Sequence, residues 1–149
     1  MTHEIRTIIC PIDFSESSKA ALNEALSLAE RFGSSVEVVH TVEVPHPSTQ
    51  AIADGLHEYA DKELGKLVKH LPKGGPKLSS KVLQGPPAAS IVEYANGAGA
   101  DLIVLSTHGR SGFMRAMLGS VAERIVRTSR CPVLTIPAAE GDDASASGG

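Results

Sequence analysis

Apolar positions along the chain come in two alternating patterns, short continuous runs and longer stretches of helical period. Ile5 to Ile12 holds an apolar run ending at Pro11-Ile12-Asp13, as expected for a strand buried on both faces. Leu22, Ala25, Leu26, Ala29 and Phe32 then recur at helical spacing, and Gly33 supplies a stop. Ser35 to Val42 predicts a second strand, with Val36, Val38 and Val39 giving it β-branched character. After a loop containing Pro45 and Pro47, Ile52, Leu56, Tyr59, Leu64, Leu67 and Leu71 trace one face of a long amphipathic helix. Lys62, Lys66 and Lys69 mark its other face, and Pro72 to Pro76 ends it. Gly55 and Gly65 each cost such a helix about 1 kcal/mol, which weakens its continuity.

Lys77 to Gln84 is half polar, the pattern of an edge strand. Pro86-Pro87 opens a third helix, whose first turn has no use for the missing N–H, and Ala88, Ile91, Val92 and Ala95 form its apolar stripe. Asp101 to Leu105 predicts a fourth strand, a fourth helix starts near Ser120, and Val133 to Ile136 predicts the last strand. Pro132 and Pro137 bracket that strand, which places it at a sheet edge or against another chain. Such alternation predicts an α/β, doubly wound parallel sheet with helices on both faces. Residues 1–137 are expected to form one domain, and the small, polar tail 138–149 is expected to be disordered.

Composition narrows the function classes. A net charge of −3 gives no global attraction to nucleic acid or to an anionic membrane. Aromatic residues make up 3% with no tryptophan, so base-stacking platforms are not expected. Cys10 and Cys131 sit in or beside apolar runs and are expected as reduced thiols. No run has membrane-spanning length and no signal-peptide core opens the chain, so a cytoplasmic location is expected. His3, His40, His46, His57 and His70 show no paired metal spacing, and no zinc site is expected.

The candidate chemistry lies after the fourth strand. Ser106 to Leu118 is a loop punctuated by Gly109 and Gly112, and Gly119-Ser120 opens the helix behind it. Unpaired N–H groups and the positive dipole end make a helix start an anion site, and neighbouring glycines let backbone approach a phosphate. Ligands in such sheets bind outside the carboxyl ends of the strands, where strand order reverses. If strands one and four are neighbours, that loop meets Asp13-Phe14-Ser15 at one crevice. Each residue also has a plainer reading. Ser120-Val121-Ala122-Glu123 matches a capping box, in which Ser120 and Glu123 satisfy the helix's first amides. Asp13 is either a ligand contact or an acid favoured by the helix dipole. His108, Arg110 and Arg115 either touch phosphate or are ordinary loop groups.

These residues resemble the universal stress protein family. The likeness runs from residue 4 to 137 through Ile9-Cys10-Pro11-Ile12-Asp13-Phe14-Ser15, Val38-Val39-His40-Thr41-Val42, Asp101-Leu102-Ile103-Val104 and Cys131-Pro132-Val133-Leu134. The resemblance implies a five-stranded sheet of order 3-2-1-4-5, an adenine nucleotide alpha hydrolase-like fold and homodimers paired through Val133–Ile136. One subclass binds ATP through two glycines three apart, then nine residues, then glycine and serine or threonine. Gly109, Gly119 and Ser120 match that signature, while Ser106 stands where it has its first glycine. Serine fits there if neither a positive φ nor very close phosphate approach is demanded. The resemblance further implies ATP contacts at Pro11, Asp13 and Thr41, at Leu105 and Ser106, and at Val121, with Mg2+ or Mn2+ held by Asp13.

Three functions follow as alternatives. One is a dimeric adenine-nucleotide sensor or signalling module in the stress response. Another is a slow ATPase, although a Walker Gly-Lys-Ser/Thr element, a Gly-x-Ser-x-Gly elbow and a second strand-end acid are absent from the sequence. The third is a dimeric interaction protein without nucleotide.

Overall fold

The computed structural model describes residues 4–108 and 118–137; the expected tail 138–149 lies outside them. Strand β1 (Thr7–Pro11) leads into helix α1 (Glu16–Phe32), strand β2 (Ser35–Val42), helix α2 (Gln50–Lys69) and strand β3 (Leu78–Gln84). Helix α3 (Pro87–Gly97), strand β4 (Leu102–Ser106), helix α4 (Ser120–Thr128) and strand β5 (Val133–Ile136) follow. The strands pair in parallel as a five-stranded sheet of order β3-β2-β1-β4-β5. That is the order expected from the resemblance, with β3 and β5 at the two edges.

Strand parity sorts the core into two layers. Ile8, Cys10, Ile12, Val36, Val38, Leu102 and Val104 face Leu22, Ala25 and Ala29 of α1 and Leu64 of α2. Alternate residues Ile9, Val39, Leu83, Ile103 and Leu105 face Ala88, Ile91 and Ala95 of α3 and Ala122 and Ile125 of α4. Both faces of the central strands are therefore apolar, which accounts for their continuous runs in sequence. Cys10 and Cys131 are free thiols. Burial pushes the Cys10 thiol up to about 12, so it stays protonated at neutral pH and packs as a small hydrophobe.

Boundaries moved by single residues. Asp101 lies before β4 rather than inside it, and its carboxylate accepts from the backbone amides of Arg6 (2.9 Å) and Thr7 (3.0 Å). It thereby fastens the start of β4 to the start of β1. Helix α2 runs unbroken past Gly55 and Gly65, capped by Thr49, whose hydroxyl accepts from the Ile52 amide at 3.3 Å. No described helix is long and apolar enough to cross a membrane.

Gly85 turns the chain from β3 into α3 at φ 131°, a region that side chains rarely enter, and a Cβ there would lie 2.7 Å from Ser90 Oγ. Gly85→Ala is expected to lower stability by about 1–3 kcal/mol, read from urea denaturation. An unshifted midpoint would contradict the described turn.

Candidate functional site

The crevice arises where β1 and β4 stop pairing. Their register ends at Ile9↔Ile103, whereas β1 and β2 stay paired through Pro11↔Val39. Ile12 continues toward β2, donating its N–H to Val39 O at 2.8 Å. By alternation, Pro11 faces β4, and proline has no N–H with which to extend that ladder. Beyond it the chains diverge around a cavity of about 350 Å³, within the usual range for small-molecule sites.

One wall is the acidic loop. Asp13 Oδ1 accepts from the Ser15 amide at 3.0 Å and the Ser15 hydroxyl at 2.5 Å. Ser15 in turn caps α1, its hydroxyl accepting from the Ser18 amide at 3.2 Å. Between them Phe14 adopts φ 67°, the left-handed region, without being glycine. Its ring packs on the His40 ring, centroids 4.6 Å apart, and the His40 ring nitrogen Nδ1 donates to Ile12 O at 2.7 Å. β2 supplies Val39, His40 and Thr41 to the lining, and Glu43 follows just beyond its end. Thr41 Oγ1 is buried without a hydrogen-bond partner.

The opposite wall is built from the end of β4 and the start of α4. Leu105, Ser106, Thr107, Gly119, Ser120, Val121 and Ala122 all line the cavity. Thr107 holds this wall together through one residue's backbone. Its N–H donates to Ile136 O at 2.9 Å, at the end of β5, and its carbonyl accepts from the Gly119 N–H at 2.7 Å. Gly119 is the N-cap, at φ −64° and ψ 160°, and its carbonyl accepts from Glu123 N–H at 2.9 Å. The amides of Ser120, Val121 and Ala122 are thus the first-turn donors that have no acceptor within the helix, and they open toward the cavity.

This arrangement corrects the capping-box expectation. Ser120 is the first helical residue rather than the cap, and the cap makes no side-chain hydrogen bond. Anchoring of Gly119 to Thr107 puts the extended residue one position earlier, so Ser120 already has helical geometry. Glu123 instead faces Arg127, with Oε1 and Nη1 3.5 Å apart on the exposed helix surface.

The cavity brings together eight of the expected contacts, with Pro11, Asp13 and Thr41 on one side and Leu105, Ser106, Gly119, Ser120 and Val121 on the other. His108 does not line it. The residue is 2% exposed and its Nδ1 lies 2.9 Å from Thr107 Oγ1. Gly109, Arg110 and Arg115 lie outside the described residues. Sequence reasoning missed Glu43, although it shares strand parity with Thr41, and it weighed His40 only as a metal ligand. Asp13 and Glu43 give the described lining two carboxylates, and no lysine or arginine is among its described members. Positive potential on the described wall is therefore that of backbone N–H groups at the start of α4.

Ser106 has no positive φ and ends β4 in extended conformation. Its hydroxyl donates to His108 O at 2.8 Å. Serine is thus compatible with the backbone and braces the loop's first turn.

The Universal stress protein family model matches residues 4–137. The chain belongs to the universal stress protein family. A universal stress protein of Methanocaldococcus jannaschii, MJ0531, is 36% identical over 138 residues, covering 88% of this chain and 81% of that protein. Among solved structures, universal stress protein UspA from Lactobacillus plantarum superposes with TM-score 0.73 at 26% identity, covering 91% of this chain and 99% of that one. A universal stress protein crystallised in complex with cAMP shares the fold, with TM-score 0.71 at 24% identity over 92% of this chain and all of that one.

Replacing the brace removes one hydrogen bond and frees the unfolded chain. Ser106→Gly is expected to destabilise this universal stress protein by about 1–2 kcal/mol in urea denaturation. A stabilised variant would show that serine strains the loop.

Proposed function

We propose that this universal stress protein is an adenine-nucleotide-binding module, with ATP as its ligand, acting as a dimeric sensor or signalling protein in the cytoplasmic stress response. The observation that carries this reading is the pairing of two opposite polarities across one cavity. Ser120, Val121 and Ala122 present first-turn amides on one wall, and Asp13, Thr41 and Glu43 present acceptors on the other. A ligand anionic at one end and rich in donors at the other satisfies both, as a nucleotide does with its phosphates and its ribose and base. The fold relative solved with cAMP supports an adenine nucleotide within that class.

Asp13 is the residue that would hold Mg2+ or Mn2+. Among the described residues no group of three His, Cys, Asp or Glu could hold a metal by itself. One carboxylate plus ligand phosphates and water is a donor set that suits a hard divalent cation. Bound there, the ion would neutralise phosphate charge beside the carboxylates. Backbone amides of α4 orient the phosphates, and apolar Pro11, Val39 and Ile91 keep water from the inner end of the cavity. For the dimer, β5 is an open sheet edge between Pro132 and Pro137, with Leu134 39% exposed and Val126 of α4 46% exposed. A second copy pairing at this edge covers both side chains.

Gly119 occupies ordinary extended backbone, a conformation valine also adopts, and valine there places two methyl groups at the cavity wall. Isothermal titration of nucleotide-stripped protein with ATP and magnesium is expected to show one site per chain. Gly119→Val should weaken it by at least about tenfold, ~1.4 kcal/mol, with thermal unfolding confirming a folded variant. Absence of binding by the unmodified protein would favour a nucleotide-free dimeric interaction protein.

A further inference from the structure

We propose that His40 is a positioning residue for Asp13, fixing the carboxylate's place at the cavity through the residues on either side of it. This rests on the reading of Asp13 as a ligand contact. A carbonyl oxygen only accepts, so the 2.7 Å contact between His40 Nδ1 and Ile12 O requires the proton on Nδ1. That bond fixes the peptide entering Asp13. The Phe14 ring on the far side lies against the same imidazole, 4.6 Å between centroids and 44° between planes.

Phe14 needs such support. Its φ of 67° is unfavourable for any residue carrying a Cβ, and a non-glycine residue persists there only when surrounding contacts over-determine it. Three constraints converge. His40 holds Ile12 from the neighbouring strand, the Phe14 ring packs on His40 and on the core above α1, and Asp13 is tied forward to the Ser15 cap. Removing the first two leaves Asp13 held only from the start of α1, by Ser15 on its carboxylate and by Ser18 Oγ, which accepts from its N–H at 3.3 Å, and the carboxylate then samples orientations away from the cavity. His40 does this from β2 (Ser35–Val42), where strand alternation sets it on the face opposite that of Val39 and Thr41 although it too borders the cavity.

His40→Phe keeps an aromatic ring against Phe14 and removes the donor, while His40→Gln restores an N–H donor without the ring. Titration with MgATP is expected to show about threefold to tenfold weaker binding for His40→Phe, in line with loss of one orienting hydrogen bond, and partial recovery for His40→Gln. The double variant His40→Phe/Asp13→Asn should bind no more weakly than Asp13→Asn alone, because the two changes act through one carboxylate. Independent multiplication of the two effects would overturn the proposal, as would unaltered affinity in a folded His40→Phe protein. Amide hydrogen exchange at Ser15, whose N–H is bonded to Asp13, reads the same coupling without any ligand and should quicken in His40→Phe. If the unmodified protein binds no nucleotide, the functional reading fails, and unchanged Ser15 exchange would then separately overturn the positioning role.

Discussion

Everything at the site depends on the parting of β1 from β4. The two strands neighbour each other at the centre of the sheet, yet the chain leaves them toward opposite faces, β1 into α1 and β4 toward α4. Among the described residues the β1–β4 ladder stops at Ile9↔Ile103, and Pro11 carries no N–H with which to extend it. The cavity is therefore a consequence of topology, deepened by one residue. Its polarity follows from the same geometry. A strand end with an acid loop stands on one side, and a helix start with outward N–H groups stands on the other.

Rigidity at this crevice comes from backbone more than from side chains. The N–H and carbonyl of Thr107 join β5, the loop start and the α4 cap, so the α4 wall is tied directly to the sheet edge. Across the gap, Ile12 is held twice, by Val39 through its N–H and by His40 through its carbonyl. Both walls are thus anchored to adjacent strands, and a ligand meets donors and acceptors already placed, which lowers the ordering cost of binding.

Strand order and element sequence were legible because buried parallel strands leave continuous apolar runs, and because helix stops such as Gly33 and the Pro72–Pro76 break are chemically explicit. Eight of the expected contacts share one cavity since their loops sit at one end of one sheet. Other features left no such trace. A Ser-x-x-Glu spacing is the same whether serine is the cap or the first helical residue, and only the Gly119–Thr107 hydrogen bond separates the two. Phe14's left-handed backbone is invisible in a phenylalanine, and the burial of His108 leaves no mark in a loop sequence. Glu43 was overlooked through attention to motif positions, although period-two reading from Val39 and Thr41 reaches it.

The central claim is that the cavity has an anion-binding wall at α4 and a base-and-ribose wall at the ends of β1 and β2. Backbone amide NMR of the nucleotide-stripped protein, titrated separately with ATP and with adenosine, tests it most directly. ATP is predicted to shift the amides of Ser120, Val121 and Ala122 together with those of Ile12, Asp13 and Thr41. Adenosine is predicted to shift only the second group. Shifts from ATP that avoid the start of α4, or equal shifts there from adenosine, would contradict the account.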